Sequence, residues 1–425
     1  MDKQKDAKIT KKNNMKINRV ALLCCFALPS AMAQGPLTPP GAPAPTMKTL
    51  DQVRPGIPIT SLPFVISSWG HYYLTGSLIT SDTNGPAITI TAGSVTIDLN
   101  GYKILNFGGQ DTISAPASGL TSLTIKNGSL HLGRRAVYAP LVAGVRLEQV
   151  QVLSVAQTGV VLGDYAHILD CEFYQNGLIA GGDGLVVGYG SRVVNSIFEG
   201  NQQHGLATGP GSLVEGCTSV GHSVAGYVLG KGSSLRNSSA QSNQIYGVFS
   251  FEGAVLENVT MMNNQAGAVV GNGTRISGCL IRDSVLNGIS GDNEVMVERT
   301  TVTTSGQRGI VLYNGGFVRD CIVRANQQAG ILVHNGCSVI NNVVDINGAG
   351  NNEGGIAVYG GANRIEGNHV SSNADKGIFL LAAGNTVFKN SLRSNSLPID
   401  FVFGNDIGPQ GPADSATSPW ANITY

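Results

Sequence analysis

The sequence predicts an all-β fold: a right-handed, single-stranded parallel β-helix in which about a dozen rungs of about 21 residues stack into a solenoid with an N-terminal cap. Two observations support this prediction. A glycine recurs at nearly constant spacing through more than half of the chain, and a column of apolar residues follows each glycine at a fixed distance. The composition agrees, because 57 glycines, 13% charged residues and 42% hydrophobic residues suit many short strands joined by turns and exclude a disordered chain.

The first 33 residues have the layout of a secretory signal peptide. A basic segment is followed by the nine apolar residues 20–28, which are too few to span a bilayer. Residues 31–33 (AMA) fit the small-x-small cleavage pattern, so we expect cleavage after Ala33. The sequence therefore predicts a secreted or periplasmic protein without a transmembrane segment, whose translation starts at Met1 or at Met15.

The remaining chain divides into four expected segments. Residues 34–46 form a linker, because GPLTPPGAPAPT has five prolines in twelve residues and such a sequence is extended. Residues 47–94 are expected to form the N-terminal cap and the first strands, and residues 95–403 the parallel β-helix. Residues 404–425 are expected to form a C-terminal tail or cap, since a solenoid needs both ends of its core covered.

Charge and motif content exclude several classes of function. The chain has 27 residues of each sign, and the first 33 residues carry seven Lys or Arg and two Asp, so residues 34–425 have a net charge of −5. Bulk charge of this sign does not attract nucleic acid, and we expect no nucleic-acid partner. Metal-ligand spacings, P-loops and dinucleotide fingerprints are absent from the sequence, so we expect no metal and no cofactor. The oligomeric state is left open.

The recurring glycine opens a short apolar run in each repeat. Successive glycines are separated by 25, 21, 21, 21, 20, 21, 21, 21, 25 and 22 residues. They are Gly159, Gly184, Gly205, Gly226, Gly247, Gly267, Gly288, Gly309, Gly330, Gly355 and Gly377. The two longest steps contain insertions, residues 177–182 and 348–354, and both insertions fall at the same corner of the predicted rung.

An apolar column lies about nine residues after the glycine. Its members are Ile168, Val193, Val214, Leu235, Leu256, Ile276, Val297, Val318, Ile340, Ile365 and Val387. Most of them are β-branched, as is typical of strands, and we expect their side chains to face the core.

A polar column occupies one turn position of the repeat. It consists of Asn176, Asn201, Asn243, Asn264, Asn326, Asn373 and Asn395, with His222, Ser284 and Ser305 at intervening rungs. Stacked amides can bond to one another and to buried turn backbone, so this column predicts an asparagine ladder.

These repeats resemble the right-handed β-helix repeats of the pectin-lyase-like superfamily over residues 72–403. The segments LTPPGAPAPTMKTLDQV, VTIDLNGYKI and SPWANI are similar to uncharacterised exported bacterial members. The resemblance implies polysaccharide lyases, glycoside hydrolases, epimerases, tailspikes, adhesins or accessory proteins, and the fold alone does not choose among them. The catalytic motifs of polygalacturonases and the calcium-binding Asp cluster of pectate lyases do not occur here. Whether the chain is an enzyme therefore stays open; if it is one, a polysaccharide lyase or glycoside hydrolase is expected.

The residues directly before the glycines supply candidate catalytic groups. Asp183 and His204 lie there on adjacent rungs, about 5 Å apart, which lets a carboxylate orient an imidazole. Arg308 lies in the same row, five rungs further on. An acid–base pair with a cation suits an anionic sugar, so these three residues are the candidate catalytic residues. The alternative is that they are polar residues at an exposed corner.

The residues four positions after the glycines supply candidate binding groups. Asp292, Tyr313, His334 and Tyr359 occupy four consecutive rungs there. Aromatic faces in a row can stack on sugar rings, which are spaced about as the rungs are. Together with Tyr246 they are the candidate substrate-binding residues, and the alternative is packing within the turns.

The sequence thus predicts an exported β-helix protein that binds or processes a polysaccharide on its strand face. The alternative is a non-catalytic extracellular or surface protein with a structural or adhesin-like role.

Overall fold

The computed structural model describes residues 56–349 and 353–425. The expected signal peptide (1–33), the expected linker (34–46) and the start of the expected cap lie outside the described residues. The described part of the chain contains no helix that is long and apolar enough to cross a membrane. It forms a solenoid of parallel strands, so the predicted parallel β-helix is confirmed.

A complete rung of the solenoid contributes one strand to each of three faces. Face 1 is a sheet of 16 parallel strands within the described ranges. Its strands are Phe64–Ile66, Ile88–Ile90, Ile113–Ser114, Val137–Ala139, Val160–Leu162, Leu185–Val187, His204–Thr208, Ala225–Leu229, Tyr246–Ser250, Ala266–Val270, Ile289–Gly291, Ile310–Leu312, Ile331–Val333, Ile356–Val358, Lys376–Leu380 and Leu397–Phe401.

Faces 2 and 3 form one sheet, because the long strands Leu123–Leu132 and Arg146–Leu153 run through both. The other strands of face 2 are Ile57–Ile59, Gly70–Leu74, Val95–Asp98, His167–Leu169, Arg192–Val194, Leu213–Glu215, Ser234–Arg236, Val255–Glu257, Arg275–Ser277, Met296–Glu298, Phe317–Arg319, Ser338–Ile340, Arg364–Glu366, Thr386–Phe388 and Asp406–Ile407. The other strands of face 3 are Leu78–Thr80, Lys103–Asn106, Glu172–Tyr174, Ile197–Glu199, Thr218–Val220, Ser239–Gln241, Thr260–Met262, Leu280–Arg282, Thr301–Thr303, Ile322–Arg324, Val343–Asp345, His369–Ser371, Ser391–Arg393 and Asn422–Thr424, with Gln410–Gly411 beside the last.

The solenoid has more rungs than the dozen that the sequence indicates, because the first coils stack without the recurring glycine. Ala136 occupies the glycine position of its rung: its N–H donates to the carbonyl oxygen of Gly159 at 2.8 Å, and Val137 pairs with Val160. Pairing between rungs already begins at Ile57, whose strand lies beside Gly70–Leu74.

The apolar column faces the core, with one correction. Val214, Leu235 and Leu256 are fully buried. In the rung after Cys321, however, Val339 pairs with Ile365 and is fully buried, whereas Ile340 is only half-buried. The assignment of Ile340 to this column is therefore wrong by one residue, and a one-residue slip along a strand turns the side chain to the opposite face.

The predicted asparagine ladder is confirmed, and it contains one more member. Asn326 donates from Nδ2 to Oδ1 of Asn347 at 2.9 Å. Asn347 in turn donates to Oδ1 of Asn373 at 3.1 Å and to the carbonyl oxygen of Val323 at 3.0 Å. Asn347 thus satisfies both the next amide of the ladder and a buried strand carbonyl, neither of which has access to water.

His222 occupies one rung of this ladder in place of an amide. Its Nδ1 accepts the backbone N–H of Asn201 at 3.0 Å. Burial lowers the pKa of His222 to about 4, so the ring is neutral at neutral pH. The neutral tautomer with an unprotonated Nδ1 then performs the accepting role of an amide oxygen.

Two further ladders run through the other corners of the C-terminal rungs, and neither was predicted from the sequence. One comprises Asn342, Asn368, Asn390 and Asn422. The other comprises Asn363, Asn385 and Asn405. All three corners of these rungs are therefore held by stacked amides.

We predict that Asn347→Ala destabilises the protein by about 3 kcal/mol, because it leaves the backbone N–H and the side-chain amide of Asn326 buried without their acceptor. The matched control is Asn314→Ala, the same change in an exposed turn, which we expect to cost no more than about 0.5 kcal/mol. Urea denaturation measures the free energy of unfolding of both variants, provided that their m-values equal that of wild type. Equal midpoints for the two variants would contradict a structural role for the buried ladder.

Candidate functional site

Asp183 and His204 meet at the corner that precedes face 1. His204 begins the strand His204–Thr208, and Asp183 lies two residues before the strand Leu185–Val187, which pairs with it. His204 Nδ1 lies 2.6 Å from Oδ1 of Asp183, and the backbone N–H of His204 donates to the same oxygen at 3.1 Å. The predicted contact between these side chains is confirmed, while their catalytic role remains a proposal.

This contact orients the imidazole ring. A carboxylate can only accept, so Nδ1 donates and the opposite nitrogen, Nε2, is left to take up or release a proton. No described residue forms a hydrogen bond with Nε2 of His204. The His204 side chain is 25% exposed and that of Asp183 is 13% exposed, so a substrate can reach the ring while the carboxylate stays sheltered.

The first insertion folds back beside this pair. The N–H groups of Ile179 and Ala180 donate to the carbonyl of Ala156 on the preceding rung, at 3.0 and 3.2 Å. Leu178 and Ile179 remain 53% and 85% exposed. The insertion therefore exposes two apolar side chains a few residues before Asp183.

Arg308 does not join the pair. It lies in the same row as His204 but five rungs further, about 24 Å away at the spacing of parallel strands. Its guanidinium forms two hydrogen bonds with Glu353, from Nε at 2.8 Å and from Nη2 at 2.5 Å. The structure does not bring Arg308 together with the pair, because rung spacing separates residues that share a row, and its assignment as a catalytic residue remains a prediction.

Glu353 comes from the second insertion and reaches back two rungs to Arg308. It also accepts the Tyr359 hydroxyl at 2.7 Å. Burial opposes ionisation of Glu353, but the hydrogen bonds from Arg308 and Tyr359 and the charge of Arg308 outweigh it and lower the pKa of Glu353 to about 2. The positive charge of Arg308 is thereby neutralised.

The aromatic row consists of Tyr313, His334 and Tyr359, which directly follow three consecutive strands of face 1. The rings of Tyr313 and His334 are stacked, with centroids 5.0 Å apart and planes at 15°. His334 meets Tyr359 edge to face at 5.9 Å. Tyr313 is 49% and Tyr359 37% exposed. Asp292 is exposed one rung before Tyr313, in line with the row.

Tyr246 is not brought to this row. It lies at the opposite edge of face 1, in the row of His204, and its ring packs against Phe249 at a centroid distance of 5.6 Å. Its assignment as a binding residue thus has no support from its position relative to Tyr313 or Tyr359.

Two arginines at the same corner as Asp183 were not predicted from the sequence. Arg135 lies two rungs before Asp183. Together with Arg134 it forms paired hydrogen bonds to Asp111, at 2.7 to 3.0 Å. Burial opposes ionisation of Asp111, and the two guanidinium groups reverse this effect and lower its pKa. The sequence contains a sign of Arg135: Ala136 stands where the recurring glycine would be, so the residue before it extends the row of Asp183 toward the N-terminus.

No group of three or more His, Cys, Asp or Glu side chains within residues 56–349 and 353–425 is placed to hold a metal ion.

The chain matches a family model for the right-handed beta helix region in three overlapping stretches, residues 142–274, 211–345 and 253–397. A search of curated proteins gave no match.

Several solved structures are similar to this chain. The A-module of the mannuronan C-5 epimerase AlgE6 from Azotobacter vinelandii is 14% identical, with a TM-score of 0.38 over 84% of this chain and 91% of that chain. An α-1,3-glucanase from Streptomyces thermodiastaticus is 12% identical, with a TM-score of 0.34 over 79% and 62%. Tailspike protein 3 of bacteriophage CBA120 is 8% identical, with a TM-score of 0.34 over 82% and 59%. At these scores the likeness carries no argument about activity.

We predict that Glu353→Gln lowers stability in a pH-dependent way. Because the folded-state pKa of about 2 lies below the ordinary value of 4.5, the ionised carboxylate stabilises the fold fully above about pH 4.5, and this contribution is lost as the pH falls toward 2. In urea titrations at a series of pH values, the free energies of unfolding of wild type and variant should differ most above pH 5 and converge at low pH. Glu252→Gln, in the exposed pair with Lys231, is the control that should show little difference. A constant wild-type advantage from pH 7 to 2 would contradict the ion pair.

Proposed function

The chain belongs to the right-handed β-helix family, and from that premise we propose that face 1 binds a polysaccharide. The row of Tyr313, His334 and Tyr359 carries this proposal. Three rings lie on consecutive rungs along the axis of the solenoid, with centroids 5.0 and 5.9 Å apart. His334 covers one face of Tyr313, so the row offers the other face of Tyr313 and exposed ring edges along the axis. Aromatic surface of this kind can contact the apolar faces of the sugar rings of an extended chain.

The contacts around the row support its use as a rigid surface. The hydroxyl of Tyr359 is fixed by Glu353, which Arg308 holds in turn. Burial and the charge of Arg308 both lower the pKa of His334, so its ring is neutral at neutral pH and behaves as an uncharged stacking partner for Tyr313. Side chains that are already ordered lose little conformational entropy on binding.

The location that the N-terminal sequence predicts agrees with this role. A secreted or periplasmic protein meets cell-wall and extracellular polysaccharides. The alternative, a structural or adhesin-like protein that does no chemistry, is compatible with the same surface if binding is its whole activity.

We predict that Tyr313→Ala weakens binding about tenfold, because the stacking surface is lost, whereas Tyr313→Phe retains it. Affinity electrophoresis in gels that contain hydroxyethylcellulose, galactomannan or polygalacturonate measures the effect. Phe107→Ala is the matched control, since Phe107 is 61% exposed on a rung near the N-terminal end of the solenoid. Equal retardation of Tyr313→Ala and wild type in a gel that retards wild type would remove the aromatic row from the proposal.

A second candidate function is processing of the bound polysaccharide at Asp183 and His204. The distance of 2.6 Å between Nδ1 and Oδ1 favours it, because this arrangement holds Nε2 of His204 ready for proton transfer. The nearby Arg134–Arg135–Asp111 cluster has a net charge of +1, which places a cation closer to the pair than Arg308.

We predict that His204→Ala lowers the rate of polysaccharide processing by about 10²- to 10⁴-fold, the contribution of a general acid or base, and that Asp183→Asn lowers it in the same direction. Release of reducing ends and ultraviolet absorbance of unsaturated products measure the two possible outcomes. His369→Ala, an exposed histidine on face 3, should leave the rate unchanged. If neither His204→Ala nor Asp183→Asn changed the rate, the catalytic assignment of these two residues would be contradicted.

A further inference from the structure

A fourth asparagine ladder differs from the buried ones because it is exposed. Its members are Asn272, Asn293, Asn314 and Asn335, all exposed on consecutive rungs. Asn293 donates to Asn272 at 3.1 Å, Asn314 to Asn293 at 2.7 Å and Asn335 to Asn314 at 3.0 Å, in each case from Nδ2 to Oδ1. These amides therefore keep one orientation at regular spacing on the surface.

This amide ladder runs beside the aromatic row. Asn293, Asn314 and Asn335 directly follow Asp292, Tyr313 and His334 in the chain. The rings and the amides consequently form two parallel rows with the same repeat along the solenoid axis.

The exposed amides retain hydrogen-bonding capacity that the buried amides have used. An amide nitrogen has two N–H groups. In the buried ladder, Asn347 donates one to Asn373 and the other to the carbonyl of Val323. In the exposed ladder, Asn293 and Asn314 each donate to one amide oxygen, and no other described residue accepts from their Nδ2 atoms. One oriented donor per rung is left for water or for a ligand.

The charge of this surface disfavours anionic glycans. Among the described residues of the face 1 strands between 265 and 363 and of the turns directly before and after those strands, Arg308 is the one Arg or Lys, and Glu353 neutralises it. The other arginines in this range lie on faces 2 and 3 or in the turn between them. Asp292 and Glu294 are exposed there, and no described cation lies within ion-pair distance of either. The surface beside the two rows is therefore net negative, which disfavours a polyanionic chain.

We propose that these two rows together bind an uncharged glycan that lies along the solenoid axis, with its rings on the aromatic row and its hydroxyl groups on the amide ladder. This inference rests on the proposed binding function and specifies its ligand. Sugar hydroxyls can accept a hydrogen bond, so they match the N–H group that the amide ladder leaves available on each rung. It also replaces the anionic sugar that the sequence suggested for the Arg308 row, because Arg308 is not available as a cation.

The test uses residues 34–425 in native gels that contain hydroxyethylcellulose or galactomannan as uncharged probes and polygalacturonate as the anionic probe. The variant is the double substitution Asn293→Ala and Asn314→Ala, which removes two donors from the ladder and leaves Tyr313 in place. The control is Asn258→Ala, whose side chain donates to Asn237 at 3.3 Å in a different exposed turn. Its backbone φ is 55°, where alanine is strained, so the control is expected to be at least as destabilising as either ladder substitution.

We expect an uncharged polymer to retard wild type and the Asn258→Ala control equally, and to bind the double variant about tenfold more weakly. Polygalacturonate should not retard any of them. Stronger retardation by polygalacturonate than by either uncharged polymer would overturn the ligand class. Unchanged binding of the double variant, with binding lost in Tyr313→Ala, would overturn the amide ladder and leave the proposed function standing. If none of the three polymers retards wild type, both the inference and the proposed function are wrong.

Discussion

Buried turn backbone must find hydrogen-bond partners, and this constraint shapes the corners of the solenoid. The strands satisfy their own backbone by pairing with the rungs above and below, but the corners between faces point peptide groups toward the core. Stacked asparagines solve the problem because one amide can accept a turn N–H and donate to the next amide and to a buried carbonyl at the same time, as Asn347 does. In the C-terminal rungs all three corners use this solution, while strand pairing holds successive rungs at a nearly uniform spacing.

Uniform spacing has a chemical consequence. Residues at one position of the repeat are held about 4.8 Å from their counterparts on the next rung, so a pair of complementary side chains on adjacent rungs is in contact without any further adjustment. The hydrogen bond between Asp183 and His204 arises in this way, and so does the stack of Tyr313 on His334. The same spacing prevents residues several rungs apart from cooperating, and for this reason Arg308 takes no part in the Asp183–His204 corner.

The insertions add the groups that the repeat itself does not provide. The second insertion supplies Glu353, which spans two rungs to pair with Arg308 and removes the free positive charge from that part of face 1. The first insertion instead exposes Leu178 and Ile179 a few residues before Asp183. The two ends of one face thereby acquire different character: a corner for proton transfer near two arginines, and an uncharged to negative surface of rings and amides.

The sequence by itself determined the fold class, the repeat length, the inward column and the buried ladder, because each is a local pattern that recurs with the period of one rung. It also determined that Asp183 touches His204, since adjacent rungs fix that distance. Only the tertiary structure decided the features that lie on rungs without the recurring glycine, in insertions or in exposed turns. These are the arginine pair at Arg134 and Arg135, the neutralisation of Arg308, and the exposed ladder beside the aromatic row. An exposed asparagine in a turn and a buried one have the same sequence signature, and only the position of the turn relative to the core distinguishes a structural amide from one that is free to bind.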